Sequence, residues 1–225
     1  MNFENKVVVI TGAGRGLGAA LARKLAAKNA KVILVARNEN EIKELSAELR
    51  KLNSNIFHFS IDVSLPDASV RLSEFASAVA GPIDILINNA STLGDVPLRP
   101  LLDTRDDVFT HVLESNLLAP FRLMRANLGQ MILRGSGIVL NISSDAGVNA
   151  YPNWGAYGVS KAALAHLTRS FEAELGETGL HFLSIDPGEM DTKMHEDAIP
   201  EANKNELEKP ENVAIKIIEI MEKLS

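Results

Sequence analysis

The sequence contains no cysteine, which excludes disulfide frameworks, thiolate metal sites, iron–sulfur clusters and cysteine nucleophiles together. Such a composition is typical of a reducing compartment, and we expect a cytoplasmic protein. Aromatic residues make up only 5% of the chain, so its core must be built mainly from aliphatic side chains. A core of that kind favours helices packed on a sheet over an aromatic binding surface.

Long hydrophobic runs are missing, and positive charge is in deficit. The apolar runs at 7–10 and 138–140 fall far below the roughly 20 residues that cross a bilayer, and no signal-peptide pattern opens the chain. The 23 Lys and Arg residues against 29 Asp and Glu give a net charge of −6, which disfavours nucleic acid and anionic membranes as partners. The five histidines show no metal-ligand spacing. We therefore expect a small-molecule ligand and no metal, membrane or nucleic-acid partner.

Short β-branched runs alternate with longer helical stretches along the chain. The runs are Val7–Ile10, Val32–Ala36, Asn55–Ile61, Ile83–Asn88, Ile138–Ile142 and Leu180–Ile185. Strands that are apolar on both faces and joined by helices form a parallel sheet covered on both sides. Because the length also suits one ordinary domain, the sequence predicts a single doubly wound α/β domain over residues 1–225. Ser64 and Pro66 predict the start of one helix, and Gly135 and Gly176 predict two helix ends.

A glycine-rich turn follows the first predicted strand and precedes a helical run. Glycines let the backbone adopt positive φ and approach a pyrophosphate, and the helix offers free N–H groups and the positive end of its dipole. Residues 14–19 match the alanine-ended form of the dinucleotide fingerprint, and the ending of a P-loop is missing. A flexible packing turn is the alternative. The predicted phosphate cradle comprises Gly12, Gly14, Arg15, Gly16, Leu17 and Gly18.

The end of the second strand indicates which dinucleotide is bound. An NAD site usually places an acid there, but this strand ends in Ala36 followed by Arg37. Arg37 and Arg15 can neutralise a 2′-phosphate through forked donors, so the sequence predicts NADP(H). The alternative for Arg37 is a solvated residue that opens the next helix. Asp62 and Val63, after the third strand, either reach the adenine or merely close a turn.

Tyr157 and Lys161 fall on the same face of a helix predicted from Trp154 to Leu175. A neighbouring ammonium favours the phenolate, which brings a phenol closer to the pH at which it exchanges a proton in catalysis. Hydride transfer to a ketone creates negative charge on oxygen, so such a site needs one donor to hold that oxygen and another to deliver a proton. Ser144, after the fifth strand, can converge with Tyr157 at that crevice.

Taken in order, these motifs resemble those of the classical short-chain dehydrogenases/reductases, over nearly the whole chain. The motifs are Thr11-Gly-x-x-x-Gly16-x-Gly18, Asn88-Asn89-Ala90, Asn116, Ser144, Tyr157-x-x-x-Lys161 and Pro187-Gly188. The resemblance implies that Tyr157 is the general acid/base and that Ser144 hydrogen-bonds the substrate oxygen. It implies that Lys161 binds the nicotinamide ribose and lowers the pKa of Tyr157, and that Asn116 kinks its helix and holds a proton-relay water. Ser143 would then be a neighbour that caps the backbone.

The same resemblance implies cofactor contacts after the fourth and sixth strands. Asn89 and Ala90 would border the adenosine side, although Ser91 stands where the family usually has glycine. Pro187 and Gly188 would face the nicotinamide. Thr192 would bond the nicotinamide carboxamide, and a turn followed by an N-cap is the alternative for Thr192.

The long polar connection before Pro210 predicts a substrate loop or lid over residues 189–209. Candidate substrate-lining residues are Ser144, Tyr151, Trp154, Met190, Met194 and His195. For those outside the catalytic set, ordinary surface positions are the alternative.

The resulting expectation is an NADPH-dependent oxidoreductase that reduces a ketone or diketone-type carbonyl, or catalyses the reverse reaction. Two alternatives stay open: a catalytically silent NADP(H)-binding sensor and a 3-oxoacyl-thioester reductase. The intact set of Ser144, Tyr157, Lys161 and Asn116 favours an enzyme, because a sensor has no chemical need for a tyrosine–lysine pair.

The resemblance also implies how copies of the chain assemble. Family members continue past the helix predicted at 210–224 into a seventh strand, so we expect a Rossmann-type sheet of six strands without it. A homodimer through the helices that carry Asn116 and Tyr157 is then expected in place of a tetramer. The outer faces of those helices are predicted to carry Leu117, Phe121, Leu164, Leu167 and Phe171.

Overall fold

The computed structural model describes residues 1–224, which form one parallel sheet covered by helices. The strands are β1 (Val7–Thr11), β2 (Lys31–Ala36), β3 (Ile56–Ser60), β4 (Ile85–Asn88), β5 (Gly137–Ile142) and β6 (Leu180–Ile185). Their order across the sheet is β3-β2-β1-β4-β5-β6, and every neighbouring pair is parallel. The predicted six-stranded, doubly wound sheet is confirmed for these residues.

The helices connect the strands and cover both faces of the sheet. They are α1 (Gly16–Ala27), α2 (Glu39–Leu49), α3 (Ala68–Val79), α4 (Asp106–Leu113), α5 (Ala119–Arg134), α6 (Gly155–Leu175), α7 (Lys193–Ala198) and α8 (Pro210–Glu222). A π-helical turn, Glu114–Leu118, joins α4 to α5. None of the helices described is long and apolar enough to cross a membrane.

Side chains alternate between two hydrophobic layers, one on each face of the sheet. Along β1, Val8 and Ile10 join the layer formed with α1, α2 and α8. Val7 and Val9 join the layer formed with α3, α5 and α6. All five residues of β1 are buried because this strand lies in the middle of the sheet, which explains why the strands read as continuous apolar runs.

One of the predicted helix boundaries needs correction. Helix α3 begins at Ala68, because Asp62 accepts hydrogen bonds from the backbone N–H and hydroxyl of Ser64 and holds that segment in a turn. Gly135 ends α5 with a φ of +61°, and Gly176 is the C-terminal cap of α6, so both predicted helix ends are confirmed. Gly176 also begins a short 3₁₀ turn, after which Gly179 takes the left-handed position with a φ of +83°.

The prediction that Leu164 lies on an outer helix face is wrong. Leu164 is 1% exposed, because it falls on the same stripe of α6 as Tyr157, Lys161 and Thr168, which faces the interior. Phe121 and Phe171 approach each other on adjacent helices, with ring centroids 6.4 Å apart.

Candidate active site

A cleft of ≈ 960 Å³ opens at the carboxyl edge of the sheet. Segments that follow all six strands line it. The strand order reverses between β1 and β4, and ligands of doubly wound sheets bind outside the strand ends at that point. The topology thus places most of the predicted site residues along one cleft, and Gly18 and Asn116 lie outside its lining.

The glycine turn forms one wall of this cleft and leads into α1. Gly12 and Gly16 have φ of +65° and +54°, a backbone conformation that residues with a side chain rarely adopt. A Cβ on Gly12 would lie 2.9 Å from the Ala90 Cα atom. Helix α1 begins with no side-chain cap and no acidic residue in its first turn. Its first N–H groups and the positive end of its dipole are therefore suited to an anionic group.

Gly18 was predicted to bind cofactor, but it does not line the cleft. It lies behind the turn, where a Cβ would meet the Gly12 carbonyl and come within 2.7 Å of the Asn89 side-chain nitrogen. Its small size lets α1 pack closely against the turn. Gly12, Gly14, Arg15, Gly16 and Leu17 do line the cleft.

Asn89 fastens the glycine turn as well as lining the cleft. Its Nδ2 donates to the carbonyl oxygens of Thr11 and Gly12 at 2.9 and 3.1 Å. The Thr11 hydroxyl accepts hydrogen bonds from the backbone N–H groups of Asn89 and Ala90, both at 3.0 Å. These bonds join the ends of β1 and β4.

Charged side chains surround the end of β2. Arg37 is 65% exposed, and its Nη1 lies 3.7 Å from Asp62 Oδ2. Burial raises the pKa of Asp62, but hydrogen bonds from Ser64 and the charge of Arg37 outweigh it and leave that pKa below the ordinary value. Asp62 closes a turn, as one of its two predicted roles requires, and it also lines the cleft together with Val63. Contact of these two residues with the adenine stays a prediction.

Glu41 is a cleft residue that the sequence analysis missed. A Cβ on Gly14 would lie 2.6 Å from Glu41 Oε2, so this carboxyl stands directly over the glycine turn. Its position near the start of the helix that follows β2 was the available signal, because that end of the helix lies at the carboxyl edge of the sheet.

Tyr157 and Lys161 lie buried on the cleft side of α6, at 8% and 2% exposure. Lys161 Nζ donates to the Ile142 carbonyl oxygen at 2.7 Å and lies 5.4 Å from the centre of the Tyr157 ring. Burial lowers the pKa of Lys161 to about 8. Burial also raises the pKa of Tyr157 to about 12, against the opposing effect of the nearby Ser144 and Ser91 hydroxyls. This is opposite to the lowering expected from Lys161, because burial penalises the phenolate more strongly.

Ser144 lies beside Tyr157, at the start of a short 3₁₀ turn after β5. Its Oγ accepts a hydrogen bond from the Ala146 N–H at 3.2 Å and donates to Asp145 Oδ1 at the same distance. The prediction that Ser143 caps the backbone is therefore wrong. Ser144 is the capping residue, whereas the Ser143 N–H donates to the Ile185 carbonyl and ties β5 to β6.

Asn116 lies in the π-helical turn at 1% exposure and does not line the cleft. Its Oδ1 accepts from the Thr92 N–H at 2.8 Å, and its Nδ2 donates to the Thr92 carbonyl and to Ser160 Oγ, both at 2.9 Å. Asn116 thus connects the loop after β4 to α6 beside Lys161. Its implied role with a relay water stays a prediction.

The segment at 189–209 covers one side of the cleft. Backbone hydrogen bonds from Asp191 to Glu208 and from Glu208 to Glu189, at 2.9 and 3.1 Å, fasten its two ends together. Between them, Thr192 caps α7 by accepting a hydrogen bond from the His195 N–H at 3.3 Å. Its methyl group faces Gly16, where a Cβ would lie 3.3 Å away. Pro187 and Gly188 line the cleft just before this segment.

Only some of the candidate substrate residues lie near the Tyr157 side chain. Met194 and Trp154 pack around Tyr157 in an apolar cluster with Leu93, Leu98, Ala146 and Ala198. Met190 lines the cleft but packs against the layer that includes α1 and α8, outside this cluster. Tyr151 is 44% exposed, and its hydroxyl donates to Asp145 Oδ2 at 2.6 Å. The sequence analysis missed Leu93 and Ala146, because apolar loop residues carry no periodic signal.

Among residues 1–224, no three His, Asp or Glu side chains come together as ligands for a metal ion.

The sheet and the residues at its carboxyl edge define a Rossmann-type oxidoreductase. Residues 6–203 match the sequence profile of the short chain dehydrogenase family. The chain belongs to this family, and the resemblance inferred from its motifs is confirmed.

Individual relatives are 28% to 33% identical to this chain over the aligned residues. A short chain dehydrogenase of Pseudocercospora fijiensis is 33% identical over 90% of this chain and 66% of that protein. The 3-oxoacyl-acyl-carrier-protein reductase FabG of Salmonella typhimurium is 32% identical over 86% of this chain and 77% of that protein. The crystal structure of a metagenomic short-chain oxidoreductase in complex with NADP is 28% identical, has a TM-score of 0.84, and covers 98% of this chain and 91% of that one.

Proposed function

We propose that this chain is an NADP(H)-dependent oxidoreductase that reduces a ketone or diketone-type carbonyl to an alcohol, or catalyses the reverse reaction. The observation that carries the proposal is the buried Tyr157 hydroxyl beside Ser144, with the Lys161 ammonium one helical turn further along α6. When bound, the cofactor supplies the hydride.

Ser144 and Tyr157 then have separate roles in the reduction. Ser144 Oγ donates to the carbonyl oxygen as negative charge develops there. Because burial raises the pKa of Tyr157 to about 12, its hydroxyl keeps its proton at neutral pH and delivers it to that oxygen. Carbonyl reduction is the direction this protonation state favours. Alcohol oxidation needs the phenolate, so its rate should rise toward high pH.

The residues of the long cleft fit an NADP(H) molecule. The uncapped start of α1 and the glycine turn suit its pyrophosphate, and Arg37 with Arg15 suits its 2′-phosphate. The related metagenomic oxidoreductase was solved with NADP, which supports the same choice here. The residues proposed to hold it are Gly12, Gly14, Arg15, Gly16, Leu17, Arg37, Asp62, Val63, Asn89, Ala90, Tyr157, Lys161, Pro187, Gly188 and Thr192.

Residues 189–209 are proposed to act as a lid over the substrate. Their ends are fastened together by backbone hydrogen bonds, and α7 between them presents Met194 to the cluster around Tyr157. A lid of this kind excludes water from the reacting carbonyl.

Reduction of 3-oxoacyl thioesters is the second candidate, and the similarity to FabG favours it. Wild-type rates with a 3-oxoacyl thioester and with free ketones of equal chain length would separate the two candidates. A silent NADP(H)-binding sensor predicts no turnover with either kind of substrate.

The direct test is a panel of ketones and diketones read by NADPH absorbance. We expect Tyr157→Phe to lower kcat by about 10³-fold while NADPH binding, measured by calorimetry, stays intact. Tyr151→Phe is the matched control, because it removes the other phenol of the chain and should alter KM far more than kcat. Undiminished turnover by Tyr157→Phe would overturn the proposed mechanism.

A further inference from the structure

His195 carries two buried polar atoms that no group in residues 1–224 satisfies. It lies in the first turn of α7, lines the cleft, and its side chain is 12% exposed. Neither Nδ1 nor Nε2 has a hydrogen-bond partner. The Glu189 carboxyl oxygen lies 3.9 Å from Nε2, which is beyond hydrogen-bond range.

An imidazole in this position is poised to bind a polar group. In either neutral tautomer one ring nitrogen donates and the other accepts, so the ring can pair with a carbonyl, ester or hydroxyl oxygen. A buried polar group without a partner destabilises the protein, and a ligand that supplies the partner recovers that free energy. Among the cleft residues described, Ser91 is the only other one that has a buried polar side-chain atom without a hydrogen-bond partner, and that atom is its Oγ.

The surroundings of His195 indicate which ligand supplies the partner. Met194, directly before it, and Ala198 pack in the apolar cluster around Tyr157. Thr192, three residues before it, faces the glycine turn at Gly16. The side chain of His195 therefore lies on a lid helix that borders the apolar cluster around Tyr157.

We propose that His195 is a specificity-determining residue that hydrogen-bonds a second oxygen function of the substrate. The preferred substrates are then ketones that carry another carbonyl, ester or hydroxyl group near the reacting carbon, in preference to plain alkyl ketones. This inference rests on the proposed function, because it presupposes that a carbonyl is reduced beside Tyr157.

A matched pair of substrates tests this inference. Ethyl 3-oxobutanoate and 2-octanone have similar size, but only the first has a second oxygen function. We expect His195→Leu to lower kcat/KM for the oxoester by about tenfold, mainly through KM, and to change that for the plain ketone by less than about twofold. His195→Gln keeps one donor and one acceptor and should restore much of the loss. Glu196→Gln, an exposed change on the same helix, should leave both substrates unaffected.

The outcomes separate this inference from the proposed function. If the wild-type protein reduces neither substrate nor any other ketone, the proposed function fails and the inference falls with it. If the wild type reduces both but His195→Leu changes both by the same factor, or neither, the inference alone is overturned. A loss of NADPH binding in His195→Leu, measured by calorimetry, would assign the ring to the cofactor and also overturn it.

Discussion

The burial of Lys161 gives this one side chain a measurable effect on stability. Its ammonium is enclosed in the protein with the Ile142 carbonyl as its hydrogen-bond acceptor, and burial lowers its pKa to about 8. The unfolded chain keeps the Lys161 proton to about pH 10.5, so above pH 8 the unfolded state binds more protons than the folded state. The free energy of unfolding therefore rises with pH in this window.

The folded and unfolded states differ in how tightly they bind the Lys161 proton, and this difference should make stability depend on pH. Between about pH 8 and pH 10, Lys161 should add about 2–3 kcal/mol to the free energy of unfolding, and Lys161→Met should lack that increase. Urea unfolding of both proteins at the two pH values measures it. Above about pH 10 the raised pKa of Tyr157 acts in the opposite direction, so the window ends there. Equal pH slopes for the two proteins would show that Lys161 does not titrate as described.

A second prediction at this scale concerns Arg37 and the choice of cofactor. Its guanidinium is exposed at the end of β2 and makes only a long contact with Asp62, so it is available to a 2′-phosphate. Arg37→Ala should raise KM for NADPH by about tenfold and leave KM for NADH nearly unchanged. Arg71→Ala, an exposed arginine on α3, is the matched control. A wild-type preference for NADH, or an unchanged ratio in Arg37→Ala, would contradict the assignment.

At the scale of elements, the π-helical turn between α4 and α5 joins three parts of the fold. It places the Asn116 amide where one side chain bonds both backbone groups of Thr92 and the hydroxyl of Ser160. Ser160 in turn donates to the Tyr157 carbonyl at 2.6 Å, so the network reaches the helix that carries the catalytic pair. The turn therefore positions α6 relative to the loop after β4.

Removal of this connection should destabilise the whole fold. Asn116→Ala leaves the backbone N–H and carbonyl of Thr92 without their partner and removes the donor to Ser160 Oγ, and we expect the free energy of unfolding to fall by about 2–4 kcal/mol. Asn40→Ala, an exposed asparagine on α2, should change it by less than about 0.5 kcal/mol. Urea denaturation measures both. A cost for Asn116→Ala no larger than that of the control would mean that the network contributes little.

At the scale of the whole molecule, the outer surfaces of α5 and α6 are proposed to form a homodimer. Phe121 lies there with its ring 6.4 Å from that of Phe171, and the Arg125 guanidinium lies 5.4 Å from the Phe121 ring. Leu164 is buried, and Leu167 and Phe171 pack in part against the hydrophobic layer below α6, so the proposed contact relies mainly on Phe121 and Leu117.

Light scattering tests this assembly. We expect a dimer for the wild type and a monomer for Phe121→Glu, because burying a carboxylate in an apolar contact carries a desolvation penalty that an ion pair does not reliably repay. Leu133→Glu, at an 80% exposed position near the end of α5, should remain a dimer. A monomeric or tetrameric wild type would refute the proposal.

The sequence by itself determined the order of elements, the glycine turn, and the shared face of Tyr157 and Lys161. These features depend on local spacing: a strand repeats every two residues, a helix every 3.6, and glycine alone favours the turn at Gly12 and Gly16.

Only the tertiary structure decided which groups are buried and what they contact. Asn116 pairs with Ser160, which lies 44 positions along the chain, and Met190 packs away from Tyr157. Leu164 faces inward and His195 is enclosed without a partner. Burial set the direction of the Tyr157 pKa against the expectation from Lys161 alone. Desolvation and hydrogen bonding depend on every element packed around a group, and neighbouring residues in the sequence supply only a small part of those surroundings.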